Sequence, residues 1–94
     1  VRGAVIIDDG AAQALIEKKK SLLATGIVGV SGKFDLGDAV EVKAIDGTSI
    51  GKGIVNYNSE ELEKIKGKKT GEIRTILGGT FFDEVINRDN FILL

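Results

Sequence analysis

Along this 94-residue chain, glycines and other small residues fall at fixed places: Asp9-Gly10-Ala11, Ser21-Leu22-Leu23-Ala24-Thr25-Gly26, Gly32-Lys33-Phe34 and Gly37-Asp38. Glycine suits positions where φ is positive or where another backbone comes close. A series of such positions reads as tight backbone geometry and not as chemistry. It predicts a compact, barrel-like β fold with a helix tucked against it. A chain of this length forms one domain, able to bury roughly 60 to 70 % of the surface its unfolded form exposes. Pro is absent, so no rigid spacer divides it, and no linker, repeat or low-complexity segment interrupts it.

The local patterns fill in this outline. Ala4 to Ile7 is an apolar run of strand type, and Asp8 or Asp9 is a natural N-cap for a helix carrying Ala11, Ala14 and Leu15 at i, i+3 and i+4. Ile27 to Gly32 reads as a second strand. Ala39 to Ile45 reads as a third, with Val40, Val42 and Ala44 alternating against Glu41 and Lys43. Asp46-Gly47 suggests a type I′ turn with two positive-φ positions, so Ser49 to Tyr57 should return as the antiparallel partner. Asn58 with Glu61 has the form of a capping box, for a helix burying Leu62 and Ile65 and pairing Glu60 with Lys64. Gly67 ends it. Thr70 can cap a second short helix carrying Ile73, Ile76 and Leu77, stopped by Gly78-Gly79. Glu84 to Arg88 with Phe91 to Leu94 supplies the last strand material. The predicted class is mainly β with short helices: mixed strands in a pseudo-barrel, one helix after the first strand and two before the last.

Composition narrows the chemistry. With no Cys and no His, thiolate nucleophiles, imidazole bases, disulfides and the usual zinc sites are excluded together. The acids Asp8, Asp9, Asp35, Asp38, Asp83 and Asp89 stand at turns and helix starts, where carboxylates cap backbone amides. Gly29-Val30-Ser31-Gly32-Lys33 has the wrong spacing for a phosphate loop, and no helix opening follows it. Catalytic, metal and cofactor residues are therefore expected to be none. A net charge of −1 lacks the basic footprint of a dedicated nucleic-acid binder. Lys18, Lys19 and Lys20 at the end of the first helix, and Lys64, Lys66, Lys68 and Lys69 later, read first as complements to helix dipoles. The sequence opens at Val1, lacks Met, and its run Val5-Ile6-Ile7 is too short for a signal peptide or membrane span, so a piece of a longer cytoplasmic protein is expected.

Taken in order, the glycine motifs resemble the PUA domain. The opening segment Gly3-Ala4-Val5-Ile6-Ile7-Asp8-Asp9-Gly10-Ala11, the Asn56-Tyr57-Asn58-Ser59 stretch, Glu72-Ile73, Ile76-Leu77-Gly78 and the terminal Arg88-Asp89-Asn90 are similar to the PUA domains at the C-terminus of glutamate 5-kinases. The chain departs from that pattern at Asn87, where His is usual, and at Lys19-Lys20, where Gly commonly precedes the Ser-Leu-Leu motif. The resemblance implies a parent that phosphorylates glutamate with ATP and magnesium in proline synthesis, and a non-catalytic regulatory or assembly domain here. Its implied partner is the amino-acid-kinase domain of the same chain, with homo-oligomers formed through the parent. The alternative it implies is an RNA-binding module. In that case the surface meeting structured RNA corresponds to Gly10, Lys19, Lys20, Ser21 and Gly26.

Overall fold

The computed structural model describes residues 2–79 and 82–94. Its elements are β1 (Gly3–Ile7), α1 (Asp9–Ile16), β2 (Ile27–Gly32), β3 (Ala39–Ala44), β4 (Ser49–Ile54), α2 (Ser59–Ile65), α3 (Thr70–Leu77) and β5 (Phe91–Leu93). Single 3₁₀ turns at Ala24–Gly26 and Arg88–Asn90 lead into β2 and β5. The sheet order is β2-β1-β3-β4-β5, with β1 parallel to β3 and every other pair antiparallel. A helix follows the first strand and two precede the last, as the sequence pattern predicts.

The two edge strands are tied together outside the ladder. Leu22, ahead of β2, forms a β-bridge with Ile86, ahead of β5. The Leu22 amide donates to the Ile86 carbonyl at 2.9 Å, and the Val85 amide donates to the Leu22 carbonyl at 2.8 Å. This seam converts an open sheet into the expected pseudo-barrel. Val5, Ile7, Val40 and Val42 from the central strands fill its interior, joined by Leu22, Ile27, Leu62, Ile65, Ile73 and Ile86, all of them essentially inaccessible. Burying a side chain of this kind contributes about 1.5–3 kcal/mol, so the core comes from both halves of the chain.

Local capping follows the sequence in most places. Asp8, not Asp9, caps α1, its Oδ1 accepting from the Ala11 amide at 2.8 Å. Asn58 and Glu61 form the reciprocal capping box of α2, at 2.8 and 3.0 Å. Gly78 and Gly79 both take positive φ where α3 stops.

Five expectations are corrected. The β3–β4 loop is not type I′: only Gly47 has positive φ (+91°), its amide donates to Ala44, and Ala44 donates to Thr48. This is the three-residue loop in which a left-handed Gly follows an ordinary turn. It spares Asp46 a left-handed conformation and lets its carboxylate accept from the Thr48 amide at 2.9 Å. β4 ends at Ile54 and not Tyr57, because β3 begins only at Ala39; beyond it the Val55 amide donates to Asp38 and the Asn56 amide to Val85. Lys69 precedes α3 in place of Thr70, its amide donating to the Glu72 carboxylate at 3.2 Å. On α2 the ion pair joins Lys66 to Glu63, not Lys64 to Glu60, exposed partners between which water decides. Glu84 to Arg88 contributes the Ile86 bridge and the 3₁₀ turn in place of strand, leaving β5 only three residues long.

Gly26 marks a close approach of α1 to the segment entering β2. A Cβ built on it would lie 2.4 Å from the Ala11 Cβ of α1, and its carbonyl accepts the Asp8 amide at 2.9 Å. Gly26→Ala should therefore destabilise by about 1–3 kcal/mol through overpacking. Adding Ala11→Gly should recover part of that loss in denaturant titrations. If G26A alone left stability unchanged, α1 would not be held by this contact.

Candidate nucleic-acid interface

Four of the five residues expected to meet RNA are brought together. Gly10, Lys20, Ser21 and Gly26 line one open cleft of about 380 Å³ between the start of α1 and the segment that leads into β2. Lys19 lies in an adjoining cleft of about 540 Å³, and Lys20 lines both. Their roles differ. Gly26 is buried and serves α1 packing. Gly10 is exposed, with only Asp8 Oδ1 within 4 Å of a built Cβ, so the surface there is open.

Ser21 is occupied by the fold. Its Oγ accepts the Arg88 amide at 3.0 Å, across 67 residues of sequence, which extends the Leu22–Ile86 seam by one more link. The same hydroxyl bonds the Glu84 carboxylate, and the Asn87 side chain donates from Nδ2 to Glu84 Oε1 at 2.7 Å. These bonds, that from Ser21 first, hold the Glu84 carboxyl below its ordinary value.

The lysines lie beyond the last turn of α1, whose C-cap is Glu17, so they do not complement its dipole. Lys19 has φ +51°, the left-handed region that disfavours side chains other than Gly. Its turn is closed by the Lys20 amide, which donates to the Ala14 carbonyl at 3.0 Å. Lys19 and Lys20 are both exposed. The larger cleft adds a cation that motif reasoning did not assign to the surface, Arg88, together with the apolar floor Leu15, Ile16, Phe91 and Leu93. Only the fold puts Arg88, Phe91 and Leu93 beside Lys20, because they come from the opposite end of the chain.

Among the described residues, no group of three or more acidic side chains is placed to hold a metal ion. Gly29 and Gly32 lie within β2, so their amides are not presented by a helix start. No helix among the described residues is long and apolar enough to cross a membrane.

The Ser21–Glu84 contact has a measurable signature. A carboxyl whose folded pKa is depressed stabilises the fold above its unfolded value, and that contribution is lost as pH falls through the folded value. Ser21→Ala should cost about 0.5–1 kcal/mol for the lost hydrogen bonding. It should also raise the Glu84 pKa toward 4.5 in a carboxyl NMR titration and flatten the acid limb of the stability curve. An unshifted Glu84 would show that Ser21 does not hold it.

Comparison with known proteins agrees with this architecture. Residues 3–77 match the family model of the PUA domain. The chain is 52 % identical over all of its 94 residues to a glutamate 5-kinase of Caldanaerobacter subterraneus subsp. tengcongensis, and 52 % identical over 93 residues to one of Dictyoglomus thermophilum. It spans about a quarter of the length of these curated relatives, 25 % in each case. Among solved structures, a PUA domain of Aeropyrum pernix K1 in complex with tartrate superposes with a TM-score of 0.65 at 31 % identity, covering 96 % of this chain and 45 % of that one. With a family match across most of its length and the same fold, the chain belongs to the PUA domain family.

Proposed function

We propose that this domain is the C-terminal accessory part of a cytoplasmic glutamate 5-kinase, and that it acts by contact and not by chemistry. The observation that carries this reading is the alignment of the whole chain, at 52 % identity, with a quarter of such an enzyme. ATP, magnesium and glutamate belong to the amino-acid-kinase part of that parent. The side chains here do not offer them a site: Asp8, Asp38 and Glu61 cap turns and helices, and Gly26, Gly51 and Gly53 serve close packing. A domain of this kind influences a neighbouring active site only through contacts that differ between its states or assemblies.

Deleting this domain from the full enzyme should leave glutamate phosphorylation largely intact while altering feedback by proline, the magnesium requirement or subunit association. Such coupling amounts to about 1–3 kcal/mol, or roughly 5 to 150-fold in an effector's affinity. Steady-state kinetics and sedimentation of the truncated enzyme measure it. Unchanged inhibition, metal dependence and assembly would leave the domain purely structural.

A second reading, RNA binding, is favoured by one observation: Lys19, Lys20 and Arg88 gather about two adjoining clefts. Binding of this origin should fall steeply with salt, and Lys19→Glu with Lys20→Glu should weaken it further. Salt-insensitive binding of structured RNA, or none at low ionic strength, would refute it.

A further inference from the structure

The seam that closes the barrel is paired along only part of its length. At one end Leu22 bridges Ile86 and Ser21 Oγ takes the Arg88 amide. Continuing the same antiparallel register would lay residues 18–20 beside Arg88–Asn90, and would bring to β5 only residues 15–17, which end α1 and are not extended. Residues 18–20 are turned away instead, by the left-handed Lys19 and by the Lys20 amide donating back to Ala14. β5 therefore remains an edge strand, last in the sheet order, with a cleft of about 540 Å³ between it and the end of α1.

The backbone of β5 shows which groups face that cleft. Leu94 donates to the Ile50 carbonyl at 3.0 Å, and Ile92 lies opposite Lys52. In an antiparallel ladder the direction of the main-chain groups alternates. Leu93 thus directs its amide and carbonyl away from β4, and Phe91 directs its carbonyl the same way. The Phe91 amide closes the 3₁₀ turn onto the Arg88 carbonyl. Natural edges are commonly guarded by charge, Pro or a bulge, yet Phe91-Ile92-Leu93-Leu94 carries none of the first two and pairs with β4 in unbroken register.

We infer that β5 takes an extended acidic peptide as an added strand, its main chain pairing with Leu93 and its carboxylates meeting Lys19, Lys20 and Arg88. Charge complementarity selects this occupant: three cations stand around the cleft against one carboxylate, Asp89, which lies 3.9 Å from the Arg88 Nε. Alternation within the peptide then sends apolar side chains onto Leu15, Ile16 and Phe91 while acidic ones reach the rim. Nucleic acid is the less favoured occupant, because a strand edge with an apolar floor offers main-chain pairing that a phosphate backbone cannot use. This inference stands independently of the kinase reading.

The test is an NMR titration of this chain with a capped peptide of alternating valine and glutamate. The expected result is shifts at Leu93, Phe91, Leu15 and Lys20, slowed exchange of the Leu93 amide, and weakening on going from about 0.05 M to about 0.5 M salt. Lys19→Glu with Lys20→Glu should weaken binding about tenfold or more. Leu93→Pro removes the outward amide without removing a ladder bond to β4, and should abolish binding while the fold persists. Should that variant fail to fold, a peptide N-methylated on its pairing edge decides instead, and should not bind the unaltered chain. No binding at low salt, or equal binding by the N-methylated peptide or by folded L93P, would overturn strand addition. So would an oligouridylate that shifts the same residues when the peptide does not, assigning the cleft to nucleic acid.

Discussion

The pairing of Leu22 with Ile86 is the constraint on which the remainder of the structure depends. A five-stranded sheet with the order β2-β1-β3-β4-β5 has two edges, and this bridge joins the segments entering both of them. Because the seam links residues 64 positions apart, its loop-closure cost must be offset by contacts formed with it. Leu22 and Ile86 supply these themselves, being wholly buried with Val85 alongside. Ser21, one residue before, and Asn56, whose amide donates to Val85, fasten the same strand from either side. Tyr57 holds the segment just upstream, its hydroxyl bonded to both the amide and the carbonyl of Phe82 and its ring meeting that of Phe82 edge-on at 5.9 Å. Burial raises the Tyr57 pKa further above its ordinary value, in keeping with a neutral hydroxyl that donates to the Phe82 carbonyl.

Closure brings backbones close, and small residues make this possible. Gly51 and Gly53 of β4 sit where a Cβ would strike the Ile92 carbonyl at 2.2 Å and the Ile86 side chain at 2.7 Å. These two glycines let β5 and the Ile86 segment lie directly across β4. Gly26 does the same for α1 against the entry to β2. Gly26, Gly51 and Gly53 thus stand where backbones touch, and the two clefts are lined by what these contacts leave exposed.

Much of this was legible from the chain alone, for identifiable reasons. Val40, Val42 and Ala44 alternate with Glu41 and Lys43 because one face of β3 is buried, and a period of two survives in sequence. Asn58 and Glu61 disclosed α2 because a capping box is a local interaction. The type of the β3–β4 turn is not legible in the sequence, because Asp-Gly fits both a two-residue loop and the last two places of a three-residue one. Only the pairing of Ala44 with Thr48 separates them. The seam was illegible for the opposite reason: Glu84 to Arg88 has no alternation, its partner is far away, and its bonds run to single residues. Gly10, Lys20, Ser21 and Gly26 line one cleft, while the separate roles of Ser21 and Gly26 as fasteners, and the presence of Arg88 and Phe91 in the adjoining cleft, are visible only in the fold.

Lys19 joins these arguments. A left-handed residue other than Gly costs roughly 1–2 kcal/mol, and such strain persists where surrounding structure holds it. Here the holding bonds are the Lys20 amide to Ala14 on one side and the Ser21–Arg88 link on the other. A glycine would adopt the same turn more readily but would carry no charge to the rim. A lysine kept in an extended conformation would run on beside Arg88–Asn90, the turn that leads into β5. The strained lysine combines what neither alternative does: it turns the chain away from the line of the seam and leaves two ammonium groups at the rim of the cleft beside β5.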